Sequence, residues 1–267
     1  MSRVLDILRA IILPLGWICA LLALVTPVWF LVAAFGTKWE FLSLEFGLGW
    51  MTREMGQKLL LACIIAGVLG AIFMLLHRLL AKEVFGVVSS PILVLAIGLA
   101  GLGWTWSIDQ ARAATRPLLD ITTDPADPPN FSTSLVARRG ANAESLDYAA
   151  KQDEAGRPLA EVQAELYPDL TTLQLDRSPD VVFDAAMTYA HENNWRVGSA
   201  SRSAGMFEAG AESFWFGLRD DIVVRIREDG QGGSLVDIRT LARRPVHDLG
   251  RNPARAADFL AAMAGED

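Results

Sequence analysis

Most of the side chains in this chain that could do chemistry are arginines and aspartates in its second half. Beyond residue 116 there are fourteen arginines and one lysine, Lys151. Arg225, Arg227, Arg239, Arg243, Arg244, Arg251 and Arg255 fall close together in sequence, among Asp220, Asp221, Asp237 and Asp248. Guanidinium forks suit bidentate contact with carboxylate or phosphate. The favoured reading is internal pairing that stiffens a sheet with a polar second face. The other is a face for an anionic ligand or a docking partner. The candidate face is Arg225, Asp237, Arg239, Arg243, Asp248 and Asn252, with Asp220-Asp221 read as a turn.

Catalytic groups are scarce. The histidines are His77, His191 and His247, and no G-x-S-x-G elbow, G-x-x-x-x-G-K-[ST] loop or H-E-x-x-H pair occurs. Asp120, Asp124 and Asp127 lack the central glycine and terminal glutamate of a calcium loop, and adjacent prolines make them turn formers. His247-Asp248 and Asp220-Asp221 would hold a metal only if folding joined them; turns and helix caps account for them more simply. No catalytic residue, metal or cofactor is assigned, and the chain is expected not to be an enzyme.

The elements that must carry these residues divide sharply. Of 267 residues 52% are hydrophobic and 21% charged, and residues 1–116 carry nine Lys/Arg against six acids. The remainder carries fifteen basic and twenty-five acidic residues, a net of −10. That balance argues against a nucleic-acid partner, which needs clustered positive charge.

Three uncharged runs, Ala10–Thr37, Leu59–Leu76 and Val84–Ile108, meet the ~20 apolar residues a bilayer core requires. They predict spans at about 11–36, 59–80 and 84–108. Ala62, Ala66 and Gly70, then Ala96 and Ala100, suggest small-residue packing faces. Trp39, Trp50, Trp104 and Trp106 read as interface anchors, and Trp39–Gln57 as a stretch lying on the membrane. Arg3 and Arg9 ahead of the first span lean toward a cytoplasmic N-terminus and an external C-terminal domain.

After this membrane domain (1–116), residues 117–140 read as a proline-rich tether and 141–267 as an extramembrane domain. Ser178-Pro179-Asp180 opens a helix with Val181, Val182, Ala185, Ala186, Tyr189 and Ala190 on its apolar face, ended by Asn193-Asn194. A β-meander follows. Ile222, Val224 and Ile226 alternate with Arg225 and Arg227, and Val236, Ile238 and Thr240 with Asp237 and Arg239. Keeping the apolar faces together pairs Val224 with Ile238, and so Arg225 with Asp237. A last helix from Asn252-Pro253 turns Ala257, Leu260 and Ala261 inward. The expected fold is a membrane-anchored α+β protein: three transmembrane helices, then an antiparallel meander with flanking helices that folds from about Asp120 onward.

Asp120-Ile-Thr-Thr-Asp124 with Asp127-Pro-Pro129, and Tyr167-Pro-Asp-Leu170, resemble the start of the domain of unknown function 1499. Trp215 to Arg227, Val236-Asp237-Ile-Arg239 and Asp248-Leu-Gly250-Arg-Asn252 resemble its core signature, over roughly 117–262. Where that family has Ser-x-Ser-Arg-x-Gly, this chain reads Thr240-Leu-Ala242-Arg243-Arg244-Pro245. The resemblance implies an exported, membrane-anchored domain and supplies no activity. The expected role is a non-catalytic accessory or assembly subunit, in contact with the lipid bilayer and other membrane subunits of a bacterial inner membrane, with its outer domain periplasmic. The alternative is a binder of an anionic small molecule or lipid, which a cavity lined by Phe207, Phe214, Trp215 and Phe216 would favour.

Overall fold

The computed structural model describes residues 2–81, 89–116, 118–139 and 145–265. It divides into two compact units, Met1–Ala111 with Trp215–Gly217, and Arg112–Phe214 with Leu218–Asp267.

The first unit holds helices α1 (Ser2–Lys38), α2 (Gly56–Ala81) and α3 (Ser89–Ala114). All three are long and apolar enough to cross a membrane. The expected start of the third span, Val84 to Val88, lies outside the described residues, and the helix runs on past Ile108 to Ala114. Trp17, Leu21, Leu24, Leu61, Leu75 and Leu93 face outward, as a lipid-facing surface requires.

The small-residue faces follow the sequence reading at Ala66 and Gly70 and depart from it elsewhere. Ala62, Ala96 and Ala100 are exposed, while Cys63, Ala66, Gly67 and Gly70 turn inward at i, i+3, i+4 and i+7 spacing. A Cβ on Gly67 would lie 2.9 Å from the Leu95 Cα, so this position sets how closely α3 approaches α2. Polar side chains also tie the helices, with Thr26 Oγ1 3.2 Å from Cys63 Sγ and Ser90 donating to the Gly16 carbonyl at 3.1 Å. The stretch read as lying on the membrane is largely helical. Glu45–Met55 is a π-helix leading into α2, held to α1 by a 2.9 Å bond from the Trp29 indole to the Met51 carbonyl.

The second unit is an antiparallel sheet in the order β1-β6-β5-β4-β3, formed by Asp120–Thr122, Ser234–Ala242, Arg219–Glu228, Met206–Glu212 and Arg196–Ser201. The short β2 (Leu173–Leu175) pairs with the other end of β6. Helices α6 (Pro179–Glu192) and α7 (Arg251–Ala264) pack on one face; α4 (Thr133–Arg138) and α5 (Leu159–Leu166) belong to the segment before them.

The core lies between the sheet and α6 and α7, around Ile222, Val224, Ile226, Val236 and Ile238. Aromatic rings close it edge-on, Phe183 against Phe207 and Tyr189 against both Trp195 and Phe259. Both helices are rotated slightly from the sequence reading. On α6 Val182, Phe183, Ala186 and Ala190 are buried and Val181 is 53% exposed. On α7 Ala256, Phe259, Leu260 and Met263 are buried and Ala257 is exposed. Asn194, just past the end of α6, takes the left-handed conformation that favours asparagine there.

Two further expectations are corrected. The supposed tether is part of the fold: β1 pairs with β6, and Leu118 and Ile121 are 1% and 0% exposed. Pro117 and Gly140 lie outside the described residues. Asp220 and Asp221 are not a turn but interior residues of β5, 2% and 0% exposed. The turn falls earlier, closed by the Ser213 amide on the Leu218 carbonyl at 2.8 Å, with Phe216 and Gly217 both at φ 62°.

The β3–β4 hairpin depends on one glycine. Gly205 has φ 61°, and a Cβ there would sit 2.0 Å from the Ile226 carbonyl oxygen. Gly205→Ala therefore meets both a strained backbone and an immovable atom. It is expected to cost roughly 2–4 kcal/mol, read as a fall in melting temperature. Gly230→Ala also has φ 80° but nothing within 4 Å, so it should cost clearly less.

Candidate functional site

Alternation in β5 and β6 puts the apolar residues on the helix side and forces Asp221, Arg225 and Arg227, with Asp237 and Arg239, onto the other face. The register is Val224 opposite Ile238 and Arg225 opposite Asp237. Among the described residues, 123–139 and 145–151 cover this second face. Charged groups therefore form a buried layer between sheet and covering segment, and each buried charge needs a partner.

Arg239, 2% exposed, grips Asp120 of β1 with Nε and Nη2 at 2.9 and 2.7 Å. It also donates to the Pro129 and Leu146 carbonyls and lies over the rings of Phe131 and Tyr148. Lys151 adds a 2.7 Å bond to the same carboxylate. Asp237, 0% exposed, takes Arg225 at 2.9 Å, Arg227 at 2.8 Å and the Thr172 hydroxyl at 2.6 Å. Arg225 reaches on to Asp124 and Asp127, so the aspartates expected as turn formers anchor the covering segment.

Asp221 holds Arg139 and a bidentate Arg243. Asp220, on the helix side, holds Arg251 and Arg255 of α7 at 3.2 and 2.9 Å. Asp248 and Asn252 sit at the start of α7, where Asp248 accepts the Gly250 and Asn252 amides and stabilises the helix N-terminus. The Asn252 Oδ1 accepts from Thr240 and Arg255, while its buried Nδ2 has no partner among the described residues.

The sequence-derived residues thus fall into four clusters rather than one site. His247 does not join a metal or catalytic group: Nε2 meets the Thr115 carbonyl at 3.0 Å and Nδ1 accepts the Leu249 amide. Among the described residues no three His, Cys, Asp or Glu side chains gather as a metal site would need.

Sequence reasoning missed Arg139, Lys151 and Glu208. Glu208 is 4% exposed and accepts the Ser132 amide, the Ser132 hydroxyl at 2.7 Å and the Ser199 hydroxyl at 2.9 Å. A lone acid between Phe207 and Ala209 in a strand was the available signal. Nothing in the chain before α5 signalled that Arg139 would reach across to β5.

Beside Glu208 lies a cleft of about 330 Å3, walled by Arg138, Arg196, Arg219 and Arg243 over Gly198 and Gly210.

Charge and burial act together on this face. Burial weakens the hold of Arg139 on its proton, and Asp221 only partly offsets that. Burial also opposes the charge on Arg225, but the hydrogen bond and charge of Asp237 prevail and raise its pKa. The three tyrosines, Tyr148, Tyr167 and Tyr189, are all pushed up, by burial first and then by Asp120, Asp248 and Asp258 respectively. A raised phenol pKa contributes stability that is complete below the unfolded value, about 10, and is lost as pH climbs beyond it. Phenolate absorbance should therefore stay flat up to about pH 10 and then rise together with unfolding. A normal titration in the folded protein would contradict the burial of Tyr148.

A family model described as protein of unknown function (DUF1499) matches residues 120–263. No curated protein matches the chain.

Proposed function

We propose, from the premise that this chain belongs to the DUF1499 family, that it is a non-catalytic accessory or assembly subunit of a membrane complex. Its three apolar helices would cross a bacterial inner membrane and its α+β domain would lie in the periplasm. One observation carries the reading: the buried carboxylates of the sheet are consumed internally. Asp120, Asp220, Asp221 and Asp237 are each held by two cations, and Glu208 by an amide and two hydroxyls. A general acid or base must face the proton it moves, and acids so saturated do not.

The aromatic cavity that would favour a binder is not formed. Phe207 is packed in the core at 1% exposure, while Phe214 stands 63% exposed on the β4–β5 turn. Partners in this reading are the bilayer and other membrane subunits.

Extraction of the tagged full chain in mild detergent tests the role. A membrane protein co-purifying at fixed stoichiometry is the expected result, and recovery of a single copy alone would overturn it. A reporter active only in the periplasm, fused after Asp267, should be active; a silent one with an active cytoplasmic reporter would reverse the orientation.

A further inference from the structure

We propose that the cleft between α4 and the outer ends of β3, β4 and β5 binds a phosphate-bearing anion, with Arg138, Arg196 and Arg243 as its cationic wall. This goes beyond the accessory role and is tested separately from it.

Local charge is the first ground. Asp221 already holds Arg139 and Arg243, Asp220 holds Arg251 and Arg255, and Glu212 holds Arg196 and Arg219. Each of these carboxylates serves two guanidinium groups. Asp220 is thus balanced from the helix side, and on the cleft side Arg138, Arg139, Arg196, Arg219 and Arg243 meet Asp221, Glu208 and Glu212, five arginines to three acids and an excess of two positive charges among the described residues. That excess stands out in a half of the chain whose net charge is −10. Arg138 has no acid paired with it among the described residues, and its Nη2 lies 3.4 Å from where a Gly198 Cβ would be. A phosphate dianion supplies the compensating charge and accepts forked guanidinium bonds.

Space is the second ground. The cleft, about 330 Å3, is of the size that small ligands occupy. Its floor is bare because Gly198 and Gly210 carry no side chain. Neither has a positive φ, and a Cβ at Gly210 would meet nothing closer than 3.8 Å. Backbone geometry and packing would thus both admit a side chain here, and what the glycines keep is an open floor.

Full-length protein in a neutral detergent is titrated calorimetrically with inorganic phosphate, glycerol phosphate and short-chain phosphatidylglycerol. Saturable binding of at least one is expected, weakening with added salt. Arg138→Gln should weaken it roughly ten-fold, the usual scale for a charge-assisted hydrogen bond, and Gly210→Leu should abolish it by filling the floor. Arg157→Gln, paired elsewhere with Asp153 and Glu165, should leave it unchanged. Binding of phosphatidylglycerol alone would assign the site to lipid headgroups, and binding of the soluble esters to free phosphate. No saturable binding, or equal affinity in wild type and Arg138→Gln, would overturn the proposal. Because Arg138 is exposed, its variant reads binding even if Gly210→Leu disturbs the strand.

Discussion

Asp120→Ala is expected to destabilise the α+β unit by about 3–5 kcal/mol, the cost of stranding a buried charge, or roughly 10–20 °C in melting temperature. Asp120 is 1% exposed and is the acceptor for both Arg239 and Lys151. Without it Arg239, itself 2% exposed, keeps the Pro129 and Leu146 carbonyls and two ring faces but no counter-charge. Arg239→Met fills similar volume and removes the second charge, so the double variant should recover part of the loss. Recovery should be incomplete, because the two carbonyls lose their donor. Asp153 pairs with Arg157 and accepts the Ala155 and Arg157 amides at a surface turn, and as the control Asp153→Ala should cost clearly less. A truncated chain for this measurement should begin before Leu118, which is 1% exposed and part of the core. A loss from Asp120→Ala no larger than that of Asp153→Ala would show that the layer is wet.

The same pair shows what was legible in the sequence. Alternation in Ile222–Arg227 and Leu235–Leu241 determined which residues share a face, and pairing Val224 with Ile238 keeps the apolar ones together where a one-residue slip would not. The observed pairing of Val224 with Ile238 follows that logic. Alternation says nothing about what covers the polar face. Asp220-Asp221 looked like a turn because local sequence favours one, yet Arg139, Arg243, Arg251 and Arg255 hold both aspartates inside a strand. Likewise four prolines made 117–129 look like a tether. Proline forbids helix but not an edge strand, and the three residues Asp120–Thr122 suffice to pair with β6. On α7 the helical period was clear, but Phe259 and Met263, the larger side chains, decided the buried stripe over Ala257. The same limit applied to the apolar helices. Spacing marked small residues, and only the neighbours show that Gly67 rather than Ala62 meets one.

Arg225 and Asp237 should couple strongly and unequally. Asp237 collects Arg225 at 3.1 and 2.9 Å, Arg227 at 2.8 Å, Thr172 at 2.6 Å and Thr123 at 3.2 Å. Asp237→Ala therefore leaves two guanidinium groups and two hydroxyls facing a methyl group, and about 3–5 kcal/mol should be lost. Arg225→Ala leaves Asp237 with Arg227 and both threonines, but it also leaves Asp124 and Asp127 of the covering segment only their longer contacts to Arg227, at 3.5 and 4.0 Å. At 12% side-chain exposure the Arg225 site can admit water, so the loss should be smaller, roughly 1–3 kcal/mol. The double variant should fall short of the sum by roughly 0.5–3 kcal/mol, the range for residues in contact. Asp237→Asn separates charge from shape: the amide oxygen can still accept from the threonines, so it should lie between the wild type and Asp237→Ala. Additive losses would mean that Arg225 acts through Asp124 and Asp127 alone. Unchanged stability in both single variants, with loss of a bound anion or partner, would instead make this face a binding surface.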